Sequence, residues 1–275
     1  MIDTHCHLNF KAFKKTVPEV IARARESGID TIIIPGTDVK TSTKAVEIAQ
    51  ANDGIYAAVG IHPHHVFKLL NNPQRSKGEE LKEIERLIQE DKVVAVGEVG
   101  IDRHEYEDTV YGEYAVQEDF IMLQKELLIK QIEFAVKYKK SLILHNREAV
   151  ADILEILEHY WNPWLEGHTV LHCCEPVESL LHFAQKNHVY MGIDGDVTYT
   201  KEKQEFLPRV PLDLLVLESD SPFLLPEPLK SERKYPNEPK NILYFSKLVA
   251  DLMNVSVEDL ERKTTNNAKN LFSLS

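Results

Sequence analysis

Eight short apolar runs, separated by segments with helical spacing, predict an α/β chain folded as a single (β/α)8 TIM barrel over residues 1–275, with allowance for distortion. The runs are continuously apolar, as strands of a parallel sheet are when both faces are covered. No glycine-rich phosphate loop follows the first run, which weighs against a doubly wound open sheet, the rival with the same alternation. In a barrel the C-terminal ends of all strands face one mouth, and the active site is expected there.

The first strand lies in Ile2-Asp3-Thr4-His5-Cys6-His7-Leu8. Side chains two apart on a strand share a face, so His5 and His7 project together, half of a metal site. Val17, Val20, Ile21 and Ala24 follow at helical spacing, with Pro18 near the start and Gly28 past the end. Thr31 to Ile34 is strand two, closed by Pro35-Gly36, and Asp38 caps the helix carrying Val39, Val46 and Ala49. Ile55 to Val59 is strand three, ending in Gly60-Ile61-His62-Pro63-His64-His65. Residues Leu70 to Gly78 are polar and read as a surface loop before a helix marked by Leu81, Ile84, Leu87 and Ile88.

Val93 to Val96 is strand four, followed by Gly97-Glu98-Val99-Gly100-Ile101-Asp102 and a long polar loop to about Tyr114. Leu128, Ile132 and Ala135 mark the next helix, and Ser141 to Leu144 is strand five, ending at His145 with Arg147 beyond. Ile153, Ile156, Leu157 and Tyr160 fit a helix; Thr169 to Leu171 is strand six, ending at His172. After Val177, Leu180, Leu181 and Ala184 comes strand seven, Val189 to Ile193. Leu214 to Leu217 is strand eight, ending in Glu218-Ser219-Asp220, and a proline-rich loop leads to one or two final helices.

The barrel therefore brings His5, His7, Glu98, His145, His172 and Asp220 to one mouth. A single histidine at a strand end is more often a hydrogen-bonded structural residue. Six such residues at one level can instead hold two divalent ions, with a central carboxylate bridging them. Glu98, after four apolar strand residues, is poorly placed to be buried without a partner.

The net charge of −12 argues against a protein that coats nucleic acid by neutralising phosphates, but not against a nuclease whose bound cations receive the phosphate. Three cysteines, two of them adjacent, make no disulfide framework and suit a reducing cytoplasm. Neither is a dedicated base evident for a cysteine nucleophile. No apolar run approaches the ~20 residues that span a bilayer, and a strand beginning at residue 2 leaves no room for a secretory leader.

The motifs DTHCHL at 3–8, GIHPH at 60–64, GEVGID at 97–102, LILHNREA at 142–149, VLHC at 170–173, LESDSPFL at 217–224, NEP at 237–239 and NNAKNLF at 266–272 resemble the TatD family of metal-dependent deoxyribonucleases, within the amidohydrolase-like barrels. The resemblance runs the length of the chain. It implies that His5, His7 and Asp220 bind one metal, that His145 and His172 bind the second, and that Glu98 bridges them. It further implies that Asp220 is the general base and that His62, His64 and Arg147 contact the scissile phosphate. Arg233 is expected to fix its loop or meet the nucleic-acid backbone. Where other amidohydrolase branches carry a carbamylated lysine this chain has Glu98, which favours the nuclease branch.

The implied function is hydrolysis of DNA phosphodiester bonds by a metal-bound hydroxide at a two-metal centre, in the manner of an exonuclease on single-stranded or damaged DNA. Zn or Mn is expected as bound, with Mg or Mn supporting turnover. The protein is expected to act as a monomer, with Phe67, Tyr106 and Phe223 as candidates to stack on bases. One departure is the run Cys173-Cys174-Glu175-Pro176, where the family has an aromatic and a Ser-Gly turn; Glu175 there would repel a phosphate unless it faces away or helps hold a metal. The alternative is a small-molecule ester or amide hydrolase on the same bimetallic site. A non-catalytic metal binder would be expected to have lost some of the six ligands, and none is lost.

Overall fold

The computed structural model describes residues 1–71, 77–107 and 114–274. Its strands are β1 (Ile2–Asp3), β2 (Thr31–Pro35), β3 (Ile55–Val59), β4 (Val93–Asp102), β5 (Ser141–Arg147), β6 (Thr169–Leu171), β7 (Tyr190–Ile193) and β8 (Leu215–Leu217). They form one sheet in the order β1 to β8, each neighbouring pair parallel. The two edges meet through backbone bonds: Thr4 N–H donates to Leu217 O at 3.2 Å, Asp220 N–H to His5 O at 2.9 Å and His7 N–H to Ser221 O at 2.7 Å. This is the predicted (β/α)8 barrel.

The helices are α1 (Val17–Glu26), α2 (Val39–Gln50), α3 (Pro63–Asn71), α4 (Lys77–Leu87), α5 (Glu118–Tyr138), α6 (Val150–Tyr160), α7 (Glu178–Asn187), α8 (Lys201–Phe206), α9 (Ile242–Met253) and α10 (Val257–Phe272). Asp38 caps α2 as expected, its carboxylate accepting from Thr41 N–H at 2.8 Å. Two cores result. The larger fills the space between strands and helices. The smaller takes one residue from each strand (Ile2, Ile33, Ala58, Ala95, Ile143, Val170, Tyr190 and Val216) and closes on Ala268, Leu271 and Phe272 of α10. With a side-chain period of two, the residue above Ile143 is His145, the one above Val170 is His172, and Glu218 then Asp220 stand above Val216. The inner core thus sets which side chains reach the mouth from β5, β6 and β8; His5 and His7 come in after β1 has ended at Asp3, out of step with Ile2.

Two expectations need correction. The segment Leu70 to Gly78 is not a loop throughout, because Leu70 lies in α3 and Gly78 in α4; residues 72–76 lie outside the described residues. Strand four does not stop at Val96 but runs to Asp102, its pairing with β5 shifting register between Val96 and Val99. That shift turns Glu98 inward. The glycines around it are contacts, not strand breakers: a Cβ on Gly97 would lie 2.6 Å from Ile143 Cβ, and one on Gly100 would lie 1.8 Å from the His145 carbonyl oxygen. The long loop expected before Tyr114 is described only to Glu107, residues 108–113 lying outside the described residues. Among the described residues no helix is long and apolar enough to cross a membrane.

Candidate metal centre and substrate cavity

Glu98 is buried at the centre of the mouth, and its two oxygens face different groups. Oε2 lies 3.4 Å from His5 Nε2 and 3.6 Å from His7 Nε2. Oε1 lies 2.8 Å from His145 Nδ1, 3.3 Å from His62 Nε2 and 3.5 Å from His172 Nε2. Asp220 Oδ1 completes the first group at 3.8 Å from His5 Nε2 and 3.5 Å from His7 Nε2, and the two imidazole nitrogens are 3.2 Å apart. Four donors around an ion with bonds of about 2.1 Å stand roughly 3.4 Å from one another in a tetrahedron. The separations in the first group match that spacing, so these donors fit a divalent ion. In the second group three imidazole nitrogens surround one carboxylate oxygen; His62 Nδ1 accepts from His64 N–H at 3.1 Å, so its proton sits on Nε2, which donates to Glu98, while His145 Nδ1 and His172 Nε2 are left as donors for an ion.

Three of the four histidines proposed as ligands have their other nitrogen tied. His7 Nδ1 meets Pro35 O at 3.3 Å, His172 Nδ1 meets Glu218 Oε1 at 3.0 Å, and His145 Nε2 meets Asp102 Oδ2 at 3.2 Å. Such partners fix the tautomer and aim the free nitrogen at an ion. His5 is held differently, its ring stacked on that of His172 with centroids 3.6 Å apart. Asp3 secures the strand ends, accepting from the N–H groups of His5 and Ser219 and from Ser219 Oγ.

Burial opposes ionisation of Glu98, yet the surrounding His62, His172 and His5 hold its pKa well below the ordinary carboxylate value. Burial also disfavours charge on His145, but its hydrogen bonds to the Asp102 and Glu98 carboxylates raise it to about 9; His172, beside Glu218 and Glu98, rises to about 10. His5 and His62 are lowered, chiefly by burial. The centre is an anionic hub that draws positive charge, whether protons or metal.

All six sequence-predicted ligands therefore meet in one place, and His62, expected to touch substrate, joins them. A cavity of about 610 Å³ opens over the cluster. His64 and Arg147 line it, His64 stacking on Tyr106 with centroids 5.1 Å apart and Arg147 donating to Tyr106 Oη at 3.0 Å. Arg233 does not line this cavity. It sits on an exposed turn at φ 56°, its backbone N–H bonded to Lys230 O.

Glu175 is occupied by its neighbours: its carboxylate accepts from Asn146 Nδ2 and from Glu148 N–H, clamping the end of β5. Burial pushes the Cys174 thiol up to about 12 and Cys173 well above the ordinary value, so neither is primed as a nucleophile. Cys173, Asp194 and Asp196 form a further donor cluster. The Lys203 ammonium already fills it, 2.7 Å from Asp196 Oδ2, 3.6 Å from Asp194 Oδ2 and 3.5 Å from Cys173 Sγ.

Sequence reasoning missed Glu218 and Asp102 as orienting partners. Both lie inside quoted motifs, and the signal was their place next to a ligand-bearing strand end. Lys203 carried no such signal.

The family model described as TatD related DNase matches residues 2–273. An uncharacterized metal-dependent hydrolase, YabD, of Bacillus subtilis is 32% identical over 277 residues, covering 100% of both chains. A 3′-5′ ssDNA/RNA exonuclease TatD of Edwardsiella piscicida is 31% identical over 282 residues, again covering 100% of both. Among solved structures, the TatD homologue YJJV of Escherichia coli superposes with a TM-score of 0.85 at 24% identity, over 100% of this chain and 98% of that one. A TatD family hydrolase of Entamoeba histolytica gives 0.80 at 20% identity, over 100% and 98%.

Proposed function

We propose, from the premise that this chain belongs to the TatD-related DNase family of metal-dependent hydrolases, that it removes nucleotides from single-stranded DNA. The direction taken is the 3′-5′ one carried in the names of its exonuclease relatives. The observation that carries this reading is Glu98, whose two oxygens each face a separate set of imidazoles. His5, His7, Asp220 and Glu98 Oε2 would hold one divalent ion; Glu98 Oε1, His145 and His172 would hold another, with His62 beside them. Bound ions supply Lewis acidity at the phosphoryl oxygens and lower the pKa of water.

The chain's own groups do the rest. Asp220 orients the attacking water and takes its proton. Arg147 and His64, on one side of the cavity, hold the non-bridging phosphate oxygens and keep phosphorus in line for attack. The imidazole-rich donor set favours Zn or Mn as the ion that purifies with the protein, while Mg or Mn supports turnover. Elemental analysis of protein prepared without added metal checks the first half.

End-labelled single- and double-stranded oligonucleotides, digested with and without chelator, test the whole reading. Wild-type protein should shorten the single strand from its 3′ end and stop when the ion is chelated. Asp220→Asn should be slower by about 100-fold or more. Undiminished cleavage by Asp220→Asn would remove the proposed base. The size of the cavity, about 610 Å³, also suits a second reading, an ester or amide hydrolase of small molecules; p-nitrophenyl esters run beside the oligonucleotides separate the two.

A further inference from the structure

Two walls of the cavity over the metal cluster are unlike, with Cys173, Glu175, Asp196 and Lys203 along a third. Its β3–β5 side carries His62, His64, Tyr106 and Arg147, all hydrogen-bonding or cationic; its β1–β8 side carries Phe10, Phe223 and Leu224. A nucleotide is divided in the same way, an anionic phosphate joined through its sugar to a flat apolar-faced base. We infer that Phe223, backed by Phe10, is the stacking site for a nucleobase flanking the scissile phosphate. This rests on the nuclease reading and adds where, and by what force, the strand is gripped.

Phe10 stacks on the imidazole of His7 with centroids 4.3 Å apart and planes 16° from parallel, so its position is tied to a ligand of the centre. Phe223 meets Phe10 edge to face at 6.1 Å and His7 at 6.2 Å. Its N–H donates to Asp220 O at 2.9 Å, which ties it to the turn that carries the proposed base. Even so the residue is 46% exposed. A lone exposed phenylalanine needs no explanation; one held on the active-site turn, at the cavity lip, does.

The other aromatic candidates are spent elsewhere. Tyr106 is engaged by His64 and by Arg147, whose guanidinium carbon lies 4.9 Å from the ring centre. Phe67 packs on Tyr114 and Phe120 at 5.2 and 5.6 Å against the core. Stacking is blind to base identity because every base offers a π-face, and it gives an acidic protein a grip that needs no field of lysines.

The test compares wild-type protein, Phe223→Ala and Phe223→Trp on two single-stranded oligonucleotides, one natural and one whose two 3′-terminal nucleotides are abasic. Wild-type protein should prefer the natural strand. Phe223→Ala should lose about tenfold in kcat/KM on it and match wild type on the abasic strand, while Phe223→Trp retains the preference. Melting temperatures close to wild type would show that the variants fold. Equal wild-type rates on both strands, or a Phe223→Ala loss that is absent or the same on both, would overturn the stacking site. Should wild-type protein cleave neither strand, the nuclease reading itself fails and the stacking site falls with it, an outcome distinct from the others.

Discussion

His172 presents Nε2 to Glu98 because Glu218 holds its other nitrogen. Glu218 is itself fully committed, its Oε1 accepting from Cys173 N–H at 2.6 Å and its Oε2 from Thr4 Oγ1 at 3.3 Å. Glu218→Ala should therefore loosen His172 and weaken metal affinity by about 10- to 100-fold, measured by competition with a chromogenic chelator. Glu218→Gln, which keeps an acceptor at the same place, should fall between the two. Equal affinities for all three proteins would deny that Glu218 orients a ligand. A second consequence at this scale concerns pH. Burial, with Lys68 and His62 nearby, pushes His65 down to about 3 from an ordinary 6.5. Between those values the unfolded chain takes a proton at this position and the folded one does not. Stability from neutral His65 is thus present above about pH 6.5 and is lost as pH falls through the window. Melting temperatures of chelated protein between pH 7 and 5 should fall less steeply for His65→Gln than for wild type; parallel curves would exclude the residue.

At the scale of elements, Asp220 belongs less to β8 than to the loop after it. It takes a positive φ of 46°, a region that costs a non-glycine residue energy and persists only where neighbours impose it. Asn237 imposes it. Its Nδ2 donates to Ser219 O at 2.8 Å, its Oδ1 accepts from Glu238 N–H and Asn241 Nδ2, both at 2.9 Å, and its own N–H donates to Pro222 O at 3.0 Å. Arg23 of α1 then grips Glu238 with two bonds of 2.8 Å. Asn237→Ala should leave buried polar groups unpaired, costing about 1–3 kcal/mol in a urea titration, and should lower kcat as Asp220 loses its fixed position. Unchanged stability and turnover would assign the clamp elsewhere. The clamp is not legible from chain order, although NEP at 237–239 marks its place, since Asn237 is seventeen positions beyond Asp220 and reaches that turn through the carbonyls of Ser219 and Pro222. By contrast α3 is legible in the sequence, where Pro63 opens it as a first-turn proline should, although its histidines also fit a ligand pattern. Gly97 and Gly100 likewise read as the end of β4, when they are what lets β4 pass close to β5.

For the molecule as a whole, the convergence of six side chains followed from one inference, that eight parallel strands close into a barrel. Continuous apolar runs carry that inference because burial on both faces imposes them on every strand, and the ligands then stand where the inner core runs out. Which carboxylate supports which imidazole depends on reach across neighbouring strands, and strand order alone does not encode it. The same convergence makes metal binding a matter of global stability. The proposed ligands come from β1, β4, β5, β6 and β8 or their ends, His5 and Asp220 being bonded through their backbones across the barrel's closing seam. An unfolded chain keeps no such set of donors together, so an ion binds the folded state alone and stabilises it. At a free concentration 100 times Kd the gain is about 2.7 kcal/mol. For a chain near this size each kcal/mol moves the melting temperature by about 2–4 °C, so zinc added to chelated protein should raise it by several degrees. Glu98→Gln, which loses the charge that serves both groups, should forfeit most of that rise, while Phe223→Ala, outside the ligand set, should keep it. Identical melting of wild-type protein in chelator and in zinc would mean that the four histidines and two carboxylates hold no ion.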